Sequence, residues 1–401
     1  MDGTVGIPRR SGHPAEKGTS AQTWGMAVPH LGGCAESTPA LTFGAVGVAS
    51  FIRARDRLLA ADSDEVAVGP VCEEIVRAFH DIVLFDKCAL MTTDPETLLP
   101  SSGVVEGFAA DACAPFWDNE LLDPDFNKFT QLARSHDPVV TLVEATDGDL
   151  SRSPRYQKLY SLFSATDELR TAFVAGSTCL AIGAFVRPGE AGVFSVEELA
   201  NARQLVPVVT TVLRRALGRV TAADRSDPPV MIILDSNDEI ITTTPGAAEV
   251  LDALRGVDDE ELPAQVRAAA TKARWGRMTT NLSTRIRDGK GNWLRLYVSP
   301  VEGELGSVVL LFERARPDDL ARILLDSYGL THRETEIVLL LARGLSAKEI
   351  AAELALSPHT VRDHIKSIYD KADVSSRGEL VATLFSNHVI HWLHSAVTTI
   401  G

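Results

Sequence analysis

The sequence predicts a multidomain chain in which two α+β domains precede an all-α, four-helix domain at the C-terminus. Three observations lead there. Polar, proline-bearing breaks fall at 224–229 and 314–318, as linkers do. Short apolar runs bounded by turn residues recur through the first two segments. After Leu330, three helix starts follow closely on one another.

With 401 residues the chain has room for two or three domains, each with its own core. Its 45% apolar and 23% charged residues exclude a disordered or fibrous class. No apolar run approaches the roughly 18 residues of a membrane span, and residues 1–41, rich in Gly, Pro, Ser and Thr, contain no secretory apolar stretch. That tail is expected to be disordered and the protein cytoplasmic, without a membrane partner. Cys34, Cys72, Cys88, Cys113 and Cys179 are scattered with no C-x-x-C pair, so reduced thiols are expected, not a zinc site or a disulfide framework. No cofactor is expected. A net charge of −15 opposes nonspecific coating of nucleic acid, so any DNA-reading surface must be local.

In the first segment, 42–221, apolar spacing predicts helices over Gly44–Ala61 and Val68–Phe79. Strands are predicted at Lys87–Thr92, Pro138–Val143 and Thr178–Val186. Stretches 116–126 and 147–160 are expected as surface loops or short helices, with Trp117, Tyr156 and Tyr160 either facing a pocket or packing ordinarily. The last helix opens with a capping box, Ser195 and Glu198, and Pro207 is expected to bend it. Leu199, Val206, Leu213 and Val220 recur every seven residues, with Ala202, Val209 and Ala216 between them; the stripe is either a core face or a dimer seam. Helices flanking a strand-rich middle, closing with FSVEEL and a long helix, resemble a GAF-type sensor domain. That resemblance implies a small-molecule pocket over the sheet or a dimerisation module, and leaves the ligand-binding residues unassigned.

The second segment, 229–313, reads strand (Val230–Leu234), turn (Ser236-Asn237-Asp238), strand (Glu239–Thr243), then helices Pro245–Leu254 and Leu262–Ala273. Strands Met278–Arg287, Trp293–Pro300 and Ser307–Glu313 follow, the first two joined by a turn over 287–292. Two strands, helices and three strands resemble a PAS domain, which implies sensing of a ligand, cofactor or partner. With no histidine or cysteine in the segment, histidine-ligated haem and a cysteinyl-flavin adduct are excluded there.

The third segment, 326–391, carries the chemistry. Thr331 with Glu334 and Ser346 with Glu349 form capping boxes, Ser357-Pro358 starts a third helix, and Gly344 stops the first. Ile337, Leu340 and Leu341, then Ile350 and Leu354, then Val361, Ile365 and Ile368 are the packing positions. Only Ala355, Leu356 and Ser357 separate the second and third helices, which forces an angled helix-turn-helix pair over about 347–366. Opposite the apolar face of the third helix stand Arg362, Asp363, Lys366 and His359, a face suited to a major groove. Arginine and lysine donors match guanine O6 and N7, and aspartate can accept from cytosine N4. Lys348, Ser357 and Thr360 near helix N-termini suit phosphate.

These residues resemble the LuxR-type DNA-binding domain: Leu330-Thr331 with Arg333-Glu334, Gly344-Leu345-Ser346 with Lys348-Glu349-Ile350-Ala351, Ser357-Pro358 with Thr360-Val361 and His364-Ile365, and Lys371 before Ser376-Arg377. The resemblance implies double-stranded DNA as partner, a homodimer built partly by a last helix at about 376–387, and contact with RNA polymerase. It departs at Ala355 and Asp373, often glycine in that family, and at Ala372, usually leucine; left-handed geometry at the first two would cost about 1 kcal/mol each. Residues 326–401 hold seven Lys and Arg against nine Asp and Glu, so binding must depend on local placement. His388, His391 and His394 lie three apart but lack a carboxylate or thiol partner, and no metal site is assigned. With no phosphate-binding loop and no catalytic elbow, an enzyme is not expected. The sequence is therefore read as a DNA-binding transcription regulator controlled by a small-molecule or protein signal, the alternative being a scaffold whose C-terminal unit binds protein.

Overall fold

The first sheet is buried on both faces, one apolar and the other part apolar and part charged, and helices cover both sides. A computed structural model describes residues 43–61, 68–218, 228–255, 262–275, 281–316, 319, 325 and 327–385. The expected tail, Cys34, Val220 and the three C-terminal histidines lie outside the described residues. The elements of the first segment are α1 (Phe43–Ala61), α2 (Val68–His80), β1 (Lys87–Thr93), β2 (Pro100–Glu106), α3 (Cys113–Leu121), β3 (Val139–Thr141), β4 (Asp167–Ala175), β5 (Thr178–Arg187) and α4 (Val196–Leu217). The strands form one antiparallel sheet in the order β2-β1-β5-β4-β3.

On one face Leu90, Leu169, Phe173 and Phe185 pack under α1, α2 and α4, with the Phe79 ring stacked on Phe185 at 4.4 Å. The apolar stripe of α4 is spent on this same core. Leu199, Ala202, Val206, Val209, Leu213 and Ala216 are all buried within the chain, so the core-face reading holds and these residues form no free dimer seam. The Ser195–Glu198 capping box is present and the helix runs on through Pro207.

One expectation for this segment is corrected and another is refined. The strand begun at Val139 ends at Thr141, whose hydroxyl accepts the Glu144 N–H and starts a helical turn, Leu142–Ala145. Stretches 116–126 and 147–160 do carry short helices, Cys113–Leu121 and Pro154–Lys158, and are exposed in part, but Phe116, Trp117, Asn119, Glu120, Arg155 and Tyr160 within them are buried on the second face of the sheet. Their burial is made tolerable by pairing. Arg155 and Arg170 both bond Glu168, at 2.7 and 2.9 Å, Arg170 also bonds Glu120 at 2.6 Å, and the Tyr160 hydroxyl donates to Glu168. Buried charges of this kind persist only when paired and hydrogen-bonded.

The second segment forms β6 (Val230–Leu234), β7 (Ile240–Thr243), α5 (Ala247–Leu254), α6 (Ala264–Trp275), β8 (Leu282–Arg287), β9 (Trp293–Pro300) and β10 (Val308–Arg314). Its sheet order, β7-β6-β10-β9-β8, repeats that of the first sheet, strand for strand. Here alternation is cleaner: Val308, Leu310 and Phe312 are buried while Val309 and Leu311 between them are only half so. Ala268, Ala269, Ala270 and Ala273 let α6 lie close to the buried face. The two segments are joined by a buried ion pair, Asp94 with Arg285 at 2.9 Å, in which Asp94 also accepts the Arg285 backbone N–H.

The third segment is helical: α7 (His332–Ala342), α8 (Ala347–Glu353), α9 (Pro358–Ala372) and α10 (Arg377–Phe385). Among the described residues it meets the first segment at Arg214 and at Gly176. The Arg214 guanidinium of α4 donates to the Lys371 carbonyl and lies over the Tyr328 ring at 5.5 Å. The backbones at Gly176 and Gly329 meet so closely that a Cβ on either would fall about 2 Å from a carbonyl oxygen of the other strand. Among the described residues, no helix is long and apolar enough to cross a membrane.

Candidate DNA-binding surface

Helix ends fix this surface. Both expected capping boxes are formed, Thr331 with Glu334 and Ser346 with Glu349, and Ser357 caps α9 with Pro358 at its first position. Each of the first three helices then stops in the same way. Leu345 N–H reaches Leu340 O, Leu356 N–H reaches Ala351 O, and Val374 N–H reaches Tyr369 O. Such closure puts one residue in left-handed geometry, and here those residues are Gly344, Ala355 and Asp373, with φ of 99°, 53° and 56°. The two glycine replacements anticipated from the sequence thus do adopt the strained conformation.

Ile337, Leu340, Leu341, Ile350, Val361 and Ile368 are buried together, with Leu354 and Ile365 packed against them. Ala372 also enters this core. Side chains lock the helices to one another. The Arg333 guanidinium donates to Leu354 O at 3.0 Å, tying α7 to the turn before α9. Arg377 donates to Leu341 O at 2.6 Å, covering the carbonyl end of α7. Glu334 accepts from Ser367 and Lys371, both on α9, at 2.6 Å each. Burial opposes its ionisation, but these bonds and those from Thr331 outweigh it and hold the carboxyl down at about 2. The motif spacing exposed these positions; their bracing roles were not read from it, because each partner lies 21 or more residues away.

With α9 so held, Arg362, Asp363 and Lys366 are brought together on its exposed face. Asp363 is paired along the helix with His359, Oδ2 to Nδ1 2.9 Å, whereas Arg362 and Lys366 have no ionic partner among the described residues. Ser357 and Thr360 sit at the start of α9, their hydroxyls 2.9 Å apart, and Ser357 accepts the Thr360 N–H. Lys348 stands exposed in the first turn of α8, on a separate element.

The family model for bacterial regulatory proteins of the luxR family matches residues 328–384. Residues 328–384 form a LuxR-type helix-turn-helix domain. Over 63 residues the chain is 42% identical to the transcriptional regulatory protein LiaR of Bacillus subtilis, covering 16% of this chain and 30% of LiaR. Over 56 residues it is 46% identical to the transcriptional regulatory protein UhpA of Escherichia coli, covering 14% and 29%. The chain therefore spans about a third of the length of these relatives. A structure of SdiA in complex with octanoyl-rac-glycerol aligns over 83% of this chain and 93% of its own, at 15% identity and a TM-score of 0.30.

Outside the LuxR-type domain, Trp117 borders a cavity of 710 Å³, Tyr160 is fully buried against Glu168, and Tyr156 packs at the edge of the core. Cys72, Cys88 and Cys179 are buried and carry no disulfide; burial pushes the Cys72 and Cys88 thiols up to about 12 and Cys179 to about 11. Among the described residues no cluster of three His, Cys, Asp or Glu side chains could hold a metal.

Proposed function

We propose that this protein is a cytoplasmic, sequence-specific transcription regulator that binds duplex DNA as a homodimer and takes its signal through a GAF-like first segment and a PAS-like second one. The observation that carries this reading is the face of α9: two unpaired cations four residues apart, presented outward by a helix whose other face is buried in a LuxR-type domain. In the major groove, Arg362 and Lys366 donate to guanine acceptors and Asp363 accepts from cytosine N4. Lys348, with the hydroxyls of Ser357 and Thr360 at the start of α9, holds phosphates. The repeated strand order of the two sheets, and the cavity beside the first, support signal input from residues 42–313. Dimer contacts fall to α10 and to surfaces other than the buried stripe of α4, and RNA polymerase is the partner expected of the DNA-bound form.

The test is binding to a selected operator and to unrelated duplex over a range of salt. Arg362→Ala is expected to cost about 1–3 kcal/mol on the operator and to relax preference at one base pair, with less effect on unrelated DNA. Lys348→Ala is expected to weaken both alike and lower the salt slope by about one. Equal loss on both duplexes for Arg362→Ala removes its base-reading role. Unchanged binding for both variants, with folding intact by circular dichroism, favours a protein-binding C-terminal unit instead.

A further inference from the structure

Each of the first three helices of the LuxR-type domain has its carbonyl end covered by an arginine of another element. Arg377 of α10 donates to Leu341 O of α7, and Arg333 of α7 donates to Leu354 O just past α8. For α9 the arginine comes from outside the domain: Arg214, in the last turn of α4 and 157 residues away, donates through Nη1 to Lys371 O. The last carbonyls of a helix lack intrahelical donors, and a cation placed there also meets the negative end of the helix dipole. The last turn of α9 does not meet this need itself. Its basic residue, Lys371, sends Nζ to Glu334, and the N–H groups of Asp373 and Val374 both go to Tyr369 O.

Arg214 is seated by its neighbours, its guanidinium lying over the Tyr328 ring at 5.5 Å. Two further contacts hold the same docking. Gly176, in the turn between β4 and β5, meets Gly329, two residues before the cap of α7; a Cβ on Gly176 would fall 2.1 Å from Gly329 O, and one on Gly329 would fall 2.2 Å from Ala175 O. Buried Ser327 shares a small void with Leu180 and with Leu217, the last residue of α4. Contacts at the entry to α7 and at the end of α9 together fix a rotation that either alone would leave open.

We infer that Arg214 is a positioning residue for DNA recognition: from the first segment it completes the carbonyl end of α9, so that Arg362 and Lys366 are presented in one orientation relative to that segment. Docking leaves the exposed face of α9 uncovered, so the docked arrangement is the form that binds, and a displacement of α4 passes directly to α9. The inference rests on reading the chain as a DNA-binding regulator, and it adds the point at which the first segment acts on the DNA-binding domain.

The test uses the full-length chain, with hydrogen exchange at Asp373 and Val374 and binding to a selected operator and to unrelated duplex. Arg214→Met keeps the reach of the side chain but removes the cation and its donors. It is expected to speed that exchange about fivefold and to weaken operator binding about fivefold. Unrelated duplex should change by less than about twofold, because phosphate attraction tolerates orientation. Arg214→Lys, which keeps a cation and a donor, is expected to stay within about twofold of the unchanged protein on both measures. Gly176→Asn acts without touching α9: asparagine accepts left-handed geometry, so the turn is kept, while its Cβ displaces Gly329 O and parts the two backbones. It should reproduce both losses, and it decides alone should Arg214→Met fail to fold. Exchange unchanged in both variants overturns the capping role, as do equal losses in Arg214→Lys and Arg214→Met. Operator binding that is unchanged or tighter, alongside faster exchange, overturns the role in recognition. An unaltered chain that binds no duplex rejects the regulator reading instead, and is told apart because the exchange responses persist.

Discussion

Arg170 and Arg362 carry the same guanidinium in opposite circumstances. On β4, Arg170 has no exposed surface, and it bonds Glu168 and Glu120 while lying over the Phe129 ring at 4.3 Å. On α9, Arg362 is exposed and has no ionic partner among the described residues. Acidic neighbours show the same division: Glu168 is shared by three donors with no solvent contact, whereas Asp363 meets only His359 at the surface. The buried charges of the first segment are therefore committed to the fold, and the Arg362 charge on α9 remains available to a partner. A count of charged residues would not separate the two; only burial and pairing do.

The contrast is broken most directly at Glu168. Replacing it with Gln leaves Arg155 and Arg170 buried without their shared carboxylate, and breaking a buried ion network in this way costs about 3–5 kcal/mol. Asp363→Asn, by comparison, is expected to change stability by less than about 0.5 kcal/mol. Guanidinium unfolding of both variants checks this, followed by near-ultraviolet circular dichroism. Similar midpoints for the two would mean that the buried network contributes no more than a surface pair.

A smaller effect is expected at Glu334, which lies between these extremes: it is buried, yet tied to the helix that carries the exposed face. Its carboxyl is held at about 2 against an ordinary 4.5. Between those values the unfolded chain binds a proton that the folded one does not, so stability is full above pH 4.5 and is lost as pH falls toward 2. The shift corresponds to about 3 kcal/mol. Glu334→Gln should lose that amount at pH 7 and show a flatter decline in acid, read from hydrogen exchange of α9 amides. A decline in acid as steep as that of the unchanged chain would place the stabilisation elsewhere.

How much was legible in the sequence follows the same division. The helices of the LuxR-type domain are announced by local rules, a capping residue three before a glutamate, a proline at a first position, a glycine past an end, and all three predicted starts are present. The second sheet was legible too, because one face is buried and the alternation survives in Val230–Leu234 and Trp293–Pro300. Two strands of the first sheet were not. DELRTAFVA, now β4, carries Asp167, Glu168 and Arg170, which look like surface until Glu120, 50 residues before Arg170, is placed beside them. In β2, Gly103 and two serines hide the strand, although Gly103 is needed there since a Cβ would fall 2.3 Å from Leu90 O. Heptad spacing in α4 located a buried stripe, but spacing alone does not say whether the same chain or a second copy buries it. Of the exposed face of α9, Arg362, Asp363 and Lys366 followed from helical periodicity, while the bracing bond of Arg333 to Leu354 depends on a fold that periodicity does not specify.

The smallest expected effect concerns the turn that aims the exposed face. Three helices of the LuxR-type domain end in the same hydrogen-bonded closure, with Gly344, Ala355 and Asp373 at the left-handed position. A Cβ in that conformation crowds the following carbonyl at a cost of about 1–2 kcal/mol, and aspartate tolerates it better than alanine because its side chain can bond locally. Glycine removes the crowding but loses more backbone entropy on folding, roughly 0.5–1 kcal/mol. Ala355→Gly is therefore expected to stabilise the domain by about 0.5–1 kcal/mol, and Asp373→Gly by less, the difference being set by side-chain chemistry at equal geometry. Since Leu354 O is already held by Arg333, the relaxed turn should leave the angle of α9 and the affinity for DNA unchanged. Hydrogen exchange at Leu356, whose N–H closes the turn on Ala351 O, gives the readout. Faster exchange in Ala355→Gly would show that alanine at this position is unstrained, and that the exposed face is aimed by the turn's stiffness instead of by the Arg333 brace.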